Sequence, residues 1–257
     1  MGQKYLKSVK RAIDILKYIG NNQKKGLTLK EIADKFEKTP STILPILNTL
    51  VDEKIIENKN NFYKLSLGIL ELSFHVSTEL NIKEISHKYL EEISKRLQGN
   101  SHLGVYSDGK VIYVDRVVNS PRGYIYTNIV GMVAYAYRTG LGKALLAFQS
   151  QEEIYKYISE TTFEKRTPYT IVEKREFLEN LNEVKKRGYS YDIQESNEGV
   201  SCIGIPIFSN DKIPVCAISI SVPHSKFVDN KNFMLKEMLK AAKKISEEIR
   251  QLEGKSK

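Results

Sequence analysis

The first 65 residues carry three helical patterns in quick succession and then two β-prone runs around an Asn-rich turn, an order that few small folds satisfy. Leu6, Val9, Ile13, Leu16 and Ile19 recur every three or four positions across 5–20, the spacing of one apolar helix face. Thr28 with Glu31 three residues on is the signature of a capping box, opening a second helix to about Phe36 with Leu29, Ile32, Ala33 and Phe36 inward. Lys38-Thr39-Pro40 reads as a turn, with proline well placed for the start of a third helix over Ser41–Asp52. Ile55–Glu57 and Phe62–Leu65 flank Asn58-Lys59-Asn60-Asn61 and read as a hairpin. This is the order of a winged helix-turn-helix, in which the third helix enters a DNA major groove and the hairpin touches the backbone.

Charge points the same way. The net charge is +9, and residues 1–70 hold 13 Lys/Arg against 7 Asp/Glu, so a short stretch carries +6 of it. A basic module beside a near-neutral remainder suggests nucleic acid as a partner. A lysine bias spread through the whole chain, or a small helical interaction domain with a solvated lysine face, is the plainer alternative. Lys30, Lys35, Lys38, Lys54, Lys59 and Lys64 flank the third helix, where they would set affinity through phosphates and leave sequence preference to others. From Pro40 to Leu50 that helix has no Arg or Lys, so a bidentate guanine contact is not available from it. The expected DNA-contacting set is Lys30, Lys38, Thr39, Ser41, Thr42, Leu44, Asn48 and Lys59. Pro45 is expected about one turn inside, where first-turn amides lack helical partners anyway.

At 257 residues with 41% hydrophobic content, the chain is long enough for two domains with proper cores. No apolar run reaches the ~18 residues of a membrane span, and the N-terminus has no signal-peptide core. Two cysteines, Cys202 and Cys216, are too few for a disulfide framework. The expectation is a soluble cytoplasmic protein with no membrane partner.

The remainder reads as an α+β domain. A linker helix is expected over 67–80, so the divisions are 1–66, 67–80 and 81–257. Asn81 is placed to cap a helix that Gly99 stops. Strands follow at 102–106, 111–118 and 124–130, with Asp108-Gly109 a strong hairpin signal. Helices are expected at 142–148, 152–158 and 173–187, then strands at 189–193, 200–208 and 214–222. A helix over 231–252 closes the chain. Hairpin-linked strands with helices beside them imply a mostly antiparallel sheet.

Ser8-Val9-Lys10-Arg11-Ala12-Ile13-Asp14-Ile15-Leu16, Gly26-Leu27-Thr28-Leu29-Lys30-Glu31-Ile32-Ala33 and Ser41-Thr42 resemble the start of the IclR family of bacterial transcription regulators. Gly140-Leu141-Gly142-Lys143-Ala144-Leu145-Leu146-Ala147, Thr167-Pro168-Tyr169-Thr170, Arg187–Asp192 and Gly199–Ile207 resemble its later segments, in order and at consistent spacing. The resemblance covers about residues 6–250. It implies a winged-helix domain, a linker helix and a GAF-like effector-binding domain, assembled as a homo-oligomer (dimer or tetramer) that answers to a small organic acid or similar anionic metabolite. Two departures stand out. Leu44-Pro45 lies where the family usually has a basic residue, and Tyr135-Ala136-Tyr137-Arg138 lies near where it commonly has proline.

By the same resemblance, Thr139, Gly140 and Leu141 at a helix start, with Asp192, Cys202, Ser219 and Ser221, line an effector pocket. A helix start favours a carboxylate, Ser219 and Ser221 share one strand face, and Arg138 would add charge. The plainer roles are a buried small hydrophobe for Cys202, a turn or pairing for Asp192 and strand packing for the serines. Enzymatic readings are poor. Gly140–Ala144 lacks the spacing and the Ser/Thr of a phosphate loop. His75, His87, His102 and His224 show no metal-ligand spacing. Cys202 has no activating histidine in the sequence, and Asp192, Glu195 and Glu198 read as a solvated loop. No catalytic residue, metal or cofactor is expected. The function expected is operator binding modulated by the effector; the alternative is a metabolite-binding oligomer whose DNA binding is weak or non-specific.

Overall fold

The computed structural model describes residues 5–72, 82–119 and 129–255. The chain divides into two units, Met1–Leu80 and Asn81–Lys257.

In the first unit, α1 (Lys7–Asn21), α2 (Leu29–Lys35) and α3 (Pro40–Asp52) precede β1 (Ile56–Lys59) and β2 (Phe62–Leu65). The capping box fixes the start of α2. Thr28 N–H donates to Glu31 Oε2 at 2.8 Å, and Glu31 N–H donates to Thr28 Oγ1 at 3.2 Å. Lys25 also donates to this carboxylate, and that bond, then those from Thr28, draw its pKa down to about 2. β1 and β2 pair from Ile56–Leu65 to Lys59–Phe62, and Asn60 and Asn61 turn the hairpin at φ 53° and 65°, a region asparagine tolerates.

The core gathers Ile15, Ile19, Leu27, Ile32, Ala33, Ile43, Leu47, Ile56 and Tyr63. It corrects the expected inner face of α1. Ile15 and Ile19 are buried and Leu16 packs against them, whereas Leu6, Val9 and Ile13 are 72%, 53% and 47% exposed. The helix carries two apolar stripes about 130° apart, and its own unit covers one of them.

The second unit contains α4 (Ile82–Leu97), β3 (Asn100–Ser107), β4 (Lys110–Val117), β5 (Val133–Tyr135), a 3-10 turn (Ala136–Arg138), α5 (Gly140–Leu146), α6 (Gln151–Glu160), α7 (Lys174–Arg187), β6 (Ser190–Ile193), β7 (Val200–Phe208), β8 (Pro214–Pro223) and α8 (His224–Lys255). The strands form one sheet in the order β5-β4-β3-β8-β7-β6, every neighbour antiparallel. Ser101 Oγ donates to the Leu90 carbonyl of α4, while Ser190 Oγ donates to the Gly140 carbonyl of α5. Ser101 and Ser190 belong to rows of opposite parity, so the two helices lie on opposite faces of the sheet. α5 is buried along its whole length. It lies so close to β7 that a Cβ on Gly204 would stand 2.3 Å from the Gly140 carbonyl oxygen.

Several expected elements shift. Residues 73–80 and Asn81 lie outside the described residues, as do 124–128; residues 68–72 are helical. Ile129 and Val130 are not strand. Gly131 turns the chain at φ 85°, and the third strand of that meander is β5. α8 begins at His224 rather than Lys231, because nothing after Pro223 breaks a helix and buried Phe227 falls one heptad before buried Met234. Among the described residues no helix is long and apolar enough to cross a membrane.

Candidate functional site

The eight residues expected at DNA are all exposed. Thr39 Oγ1 lies 2.9 Å from both Ser41 Oγ and Thr42 Oγ1, so three linked hydroxyls sit at the start of α3. Leu44 and Asn48 follow at helical spacing on the same side. Lys30 and Lys38 have no carboxylate partner among the described residues, and Lys59 Nζ rests on Glu57 at 2.8 Å. Pro45 sits deeper than expected. Because α3 starts at Pro40, Pro45 is its sixth residue, past the four amides that lack helical partners. It therefore removes the N–H that would have met the Ser41 carbonyl.

In the second unit, sheet register assembles the other constellation. Asp192 of β6 lies beside Cys202 of β7, which lies beside Ser221 of β8. Ser219 pairs with Gly204 in the next row of the same face. Thr139, Gly140 and Leu141 close over these residues from the start of α5. These seven, with Tyr113, Ser196, Asn197 and Val200, line a cavity of about 20 Å³, room for one water molecule. Arg138, the eighth candidate, does not line it. Its guanidinium lies over the Tyr135 ring, 5.6 Å from the centroid, and only its carbonyl approaches, as acceptor for Ser196 Oγ. The helix start is also less open than expected, since Thr139 Oγ1 accepts the Gly142 N–H at 2.9 Å.

Of the three carboxyls expected in a solvated loop, Glu198 is exposed, but Asp192 and Glu195 are not. Asp192 and Glu195 are 3% and 5% exposed, and fully buried Lys143 of α5 sets its Nζ 2.5 Å from Glu195 Oε1. Asp192 Oδ1 accepts N–H groups from Glu195 at 2.7 Å and Ser196 at 3.3 Å. Burial first, and then the charge of Glu195, push the Asp192 carboxyl up to about 7. Burial, reinforced by Asp192, pushes the Cys202 thiol well above its ordinary range, so it is a neutral SH beside Ser221 Oγ at 3.1 Å. A thiol so held is a hydrogen-bonding group and a poor nucleophile.

The sequence gives no signal for Lys143 or Tyr113, and Glu195 reads there as part of a solvated loop. Lys143 stands among the apolar residues of Gly140–Ala147, Glu195 pairs with it across 52 positions, and Tyr113 reaches the cavity only once the strand order is known.

Comparison with known proteins agrees with this architecture. The family description "IclR helix-turn-helix domain" matches residues 8–59, and "Bacterial transcriptional regulator IclR C-terminal" matches residues 74–247. The HTH-type transcriptional regulator KdgR of Dickeya chrysanthemi is 27% identical over 245 residues, covering 94% of this chain and 79% of that protein. The crystal structure of the Thermotoga maritima IclR matches with a TM-score of 0.71 at 28% identity, covering 96% of this chain and all of that one. An IclR homologue from Microbacterium hydrocarbonoxydans, complexed with 4-hydroxybenzoate, shares the fold with a TM-score of 0.82 at 18% identity, covering 95% of this chain and 99% of that one. With both matches in order along one polypeptide, the chain belongs to the IclR family of bacterial transcriptional regulators, an IclR helix-turn-helix domain followed by an IclR C-terminal domain.

Proposed function

We propose that this regulator binds a DNA operator through α3 and the β1–β2 wing, and that a small carboxylate-bearing molecule in the cavity changes that binding. One observation carries the reading. Seven residues from the α5 start, β6, β7 and β8 face one small cavity of mixed polar and apolar lining, in a chain whose other unit exposes a helix bearing hydroxyl and amide groups. Thr39, Ser41, Thr42, Leu44 and Asn48 reach base edges and neighbouring phosphates; Lys30, Lys38 and Lys59 hold the backbone. The ligand contacts are Thr139, Gly140, Leu141, Asp192, Cys202, Ser219 and Ser221.

The cavity as it stands admits water alone, so a ligand must displace something. The segment between Gln194 at φ 61° and Gly199 at φ 76° covers it with Ser196 and Asn197. Differential affinity of the ligand for the opened and closed arrangements supplies the switch. The relative bound to 4-hydroxybenzoate supports a small carboxylate as the chemical class. The protein acts as a homo-oligomer, a dimer or a tetramer, the exposed stripe of Leu6, Val9 and Ile13 on α1 offering an apolar face to a second copy.

The test titrates operator DNA with the protein in the presence and absence of 4-hydroxybenzoate and short monocarboxylates. A carboxylate that changes DNA affinity by about fivefold or more, with the effect lost in Ser219→Ala/Ser221→Ala, supports the reading. DNA affinity indifferent to every carboxylate overturns it. A second reading, a ligand-binding oligomer with poor operator specificity, draws on Pro45 at the sixth position of α3 and on the lack of Arg and Lys from Pro40 to Leu50.

A further inference from the structure

Three ionisable side chains lie buried at the cavity, between the sheet and α5. Two are carboxyls, Asp192 and Glu195, and one is an ammonium, Lys143. Lys143 places its charge on Glu195, whose Oε2 is left with no hydrogen-bond partner. No cation bonds to Asp192; the charge of Lys143 reaches it and draws its carboxyl down, but burial and the charge of Glu195 outweigh it. Asp192 Oδ1 is occupied by the Glu195 and Ser196 amides, and the residue lines the cavity. The groups facing it from the other elements are neutral: the Cys202 thiol of β7, the Ser219 and Ser221 hydroxyls of β8, Thr139 ahead of α5 and Tyr113 of β4. His102 of β3, in register with Ser219, is held uncharged by burial and then by the charge of Arg116. Arg138 is turned onto Tyr135. With both carboxyls ionised, the cluster would carry an uncompensated negative charge in a buried site with room for a single water, which proteins avoid by keeping a proton.

We propose that this cluster keeps one proton on Asp192, and that the carboxylic acid so formed receives the ligand's carboxylate as a hydrogen-bond donor beside Cys202, Ser219 and Ser221. The proposal rests on the cavity's being the effector site. It resolves an apparent conflict, an acidic residue in a site for an acid: ionised, Asp192 repels the ligand; protonated, it is one more donor in a set of neutral donors. Binding above neutral pH then takes up one proton from solvent, so the regulator reads ligand concentration and pH together. Asp192 titrates close to neutrality, where a modest change in pH alters the competent fraction.

The experiment has two arms on the full chain. In the first, the aspartate side-chain carboxyls are labelled with carbon-13 and followed by NMR from pH 4 to pH 9, with Asp192→Asn identifying the signal. In the second, affinities for acetate and 4-hydroxybenzoate are measured at pH 6 and pH 8.5. The expected results are an Asp192 signal titrating near neutrality, and carboxylate binding that weakens about tenfold per pH unit above that point. Asp192→Asn, which keeps a donor and an acceptor, should bind with little pH dependence. An Asp192 signal titrating near pH 4, or equal affinity at the two pH values in the wild-type chain, overturns the proposal. If Asp192 titrates near neutrality but neither carboxylate binds at either pH, the effector reading beneath it fails, and this proposal with it.

Discussion

Lys143→Met is the sharpest perturbation of the C-terminal unit. It keeps a long unbranched side chain inside buried α5 and removes the charge that faces Glu195 across 2.5 Å. Glu195 Oε2 already has no partner; without Lys143, Oε1 retains only a long 3.4 Å bond from the Ile193 amide. Removing one member of a buried pair costs about 3–5 kcal/mol. Protonation sets a ceiling on that cost. Holding a proton on a carboxyl of ordinary pKa ~4.3 costs about 5 kcal/mol at pH 8 and about 1 kcal/mol at pH 5. The destabilisation should therefore be large at pH 8 and shrink several-fold at pH 5. At roughly 2–4 °C per kcal/mol for a unit of this size, the melting temperature should fall about 10 °C at pH 8. Calorimetry on the full chain is the assay, because two units need not melt together and the first serves as internal control. Lys143→Met/Glu195→Gln should recover most of the loss. A melting temperature within about 2 °C of wild type at pH 8, or a loss equal at both pH values, would refute the reasoning.

Gly204→Ala should destabilise by at least about 1–3 kcal/mol, read by urea midpoint, because its Cβ would lie 2.3 Å from the Gly140 carbonyl oxygen and 2.6 Å from Ser190 Oγ. Asp192→Asn should stabilise the protein at pH 8 and lose that advantage near pH 4. The folded carboxyl titrates at about 7, so wild-type stability is undiminished below pH ~4 and falls by about 4 kcal/mol as the unfolded chain ionises first; urea midpoints across that range give the curve. Lys38→Ala should weaken DNA binding about equally on any sequence and reduce the slope of log affinity against log salt by about 1, measured by titration at several salt concentrations.

Local chemistry was the legible part of this chain. Thr28 and Glu31 cap α2, and Asn60-Asn61 turn the wing, because each depends on neighbours within four positions. α1 shows where periodicity stops being sufficient: Leu6, Val9 and Ile13 form as regular a stripe as the buried one, and only packing of α2, α3 and the hairpin selects Ile15 and Ile19. The cavity was half legible. Resemblance brought Asp192, Cys202, Ser219 and Ser221 together on paper, whereas Tyr113 needs strand order and the Lys143–Glu195 pair needs the approach of α5 to β6. Arg138 was misplaced because an exposed tyrosine three residues earlier, Tyr135, offers its guanidinium a ring face. Pro45 was placed too near the helix start because the true first residue is Pro40, one position earlier than the pattern indicated.

The central claim is that α3 reads DNA sequence despite its proline and its lack of basic residues. A gel shift tests it directly, using DNA from upstream of this regulator's gene and its neighbours at moderate salt, against excess non-specific competitor. Asn48→Ala and Ser41→Ala/Thr42→Ala are run alongside. The account predicts a discrete, competitor-resistant complex with the wild-type chain, weakened in Asn48→Ala by about 1–3 kcal/mol and lost in the double variant. Binding that disappears with competitor, or that all variants share equally, would contradict it and leave the ligand-binding oligomer as the better account.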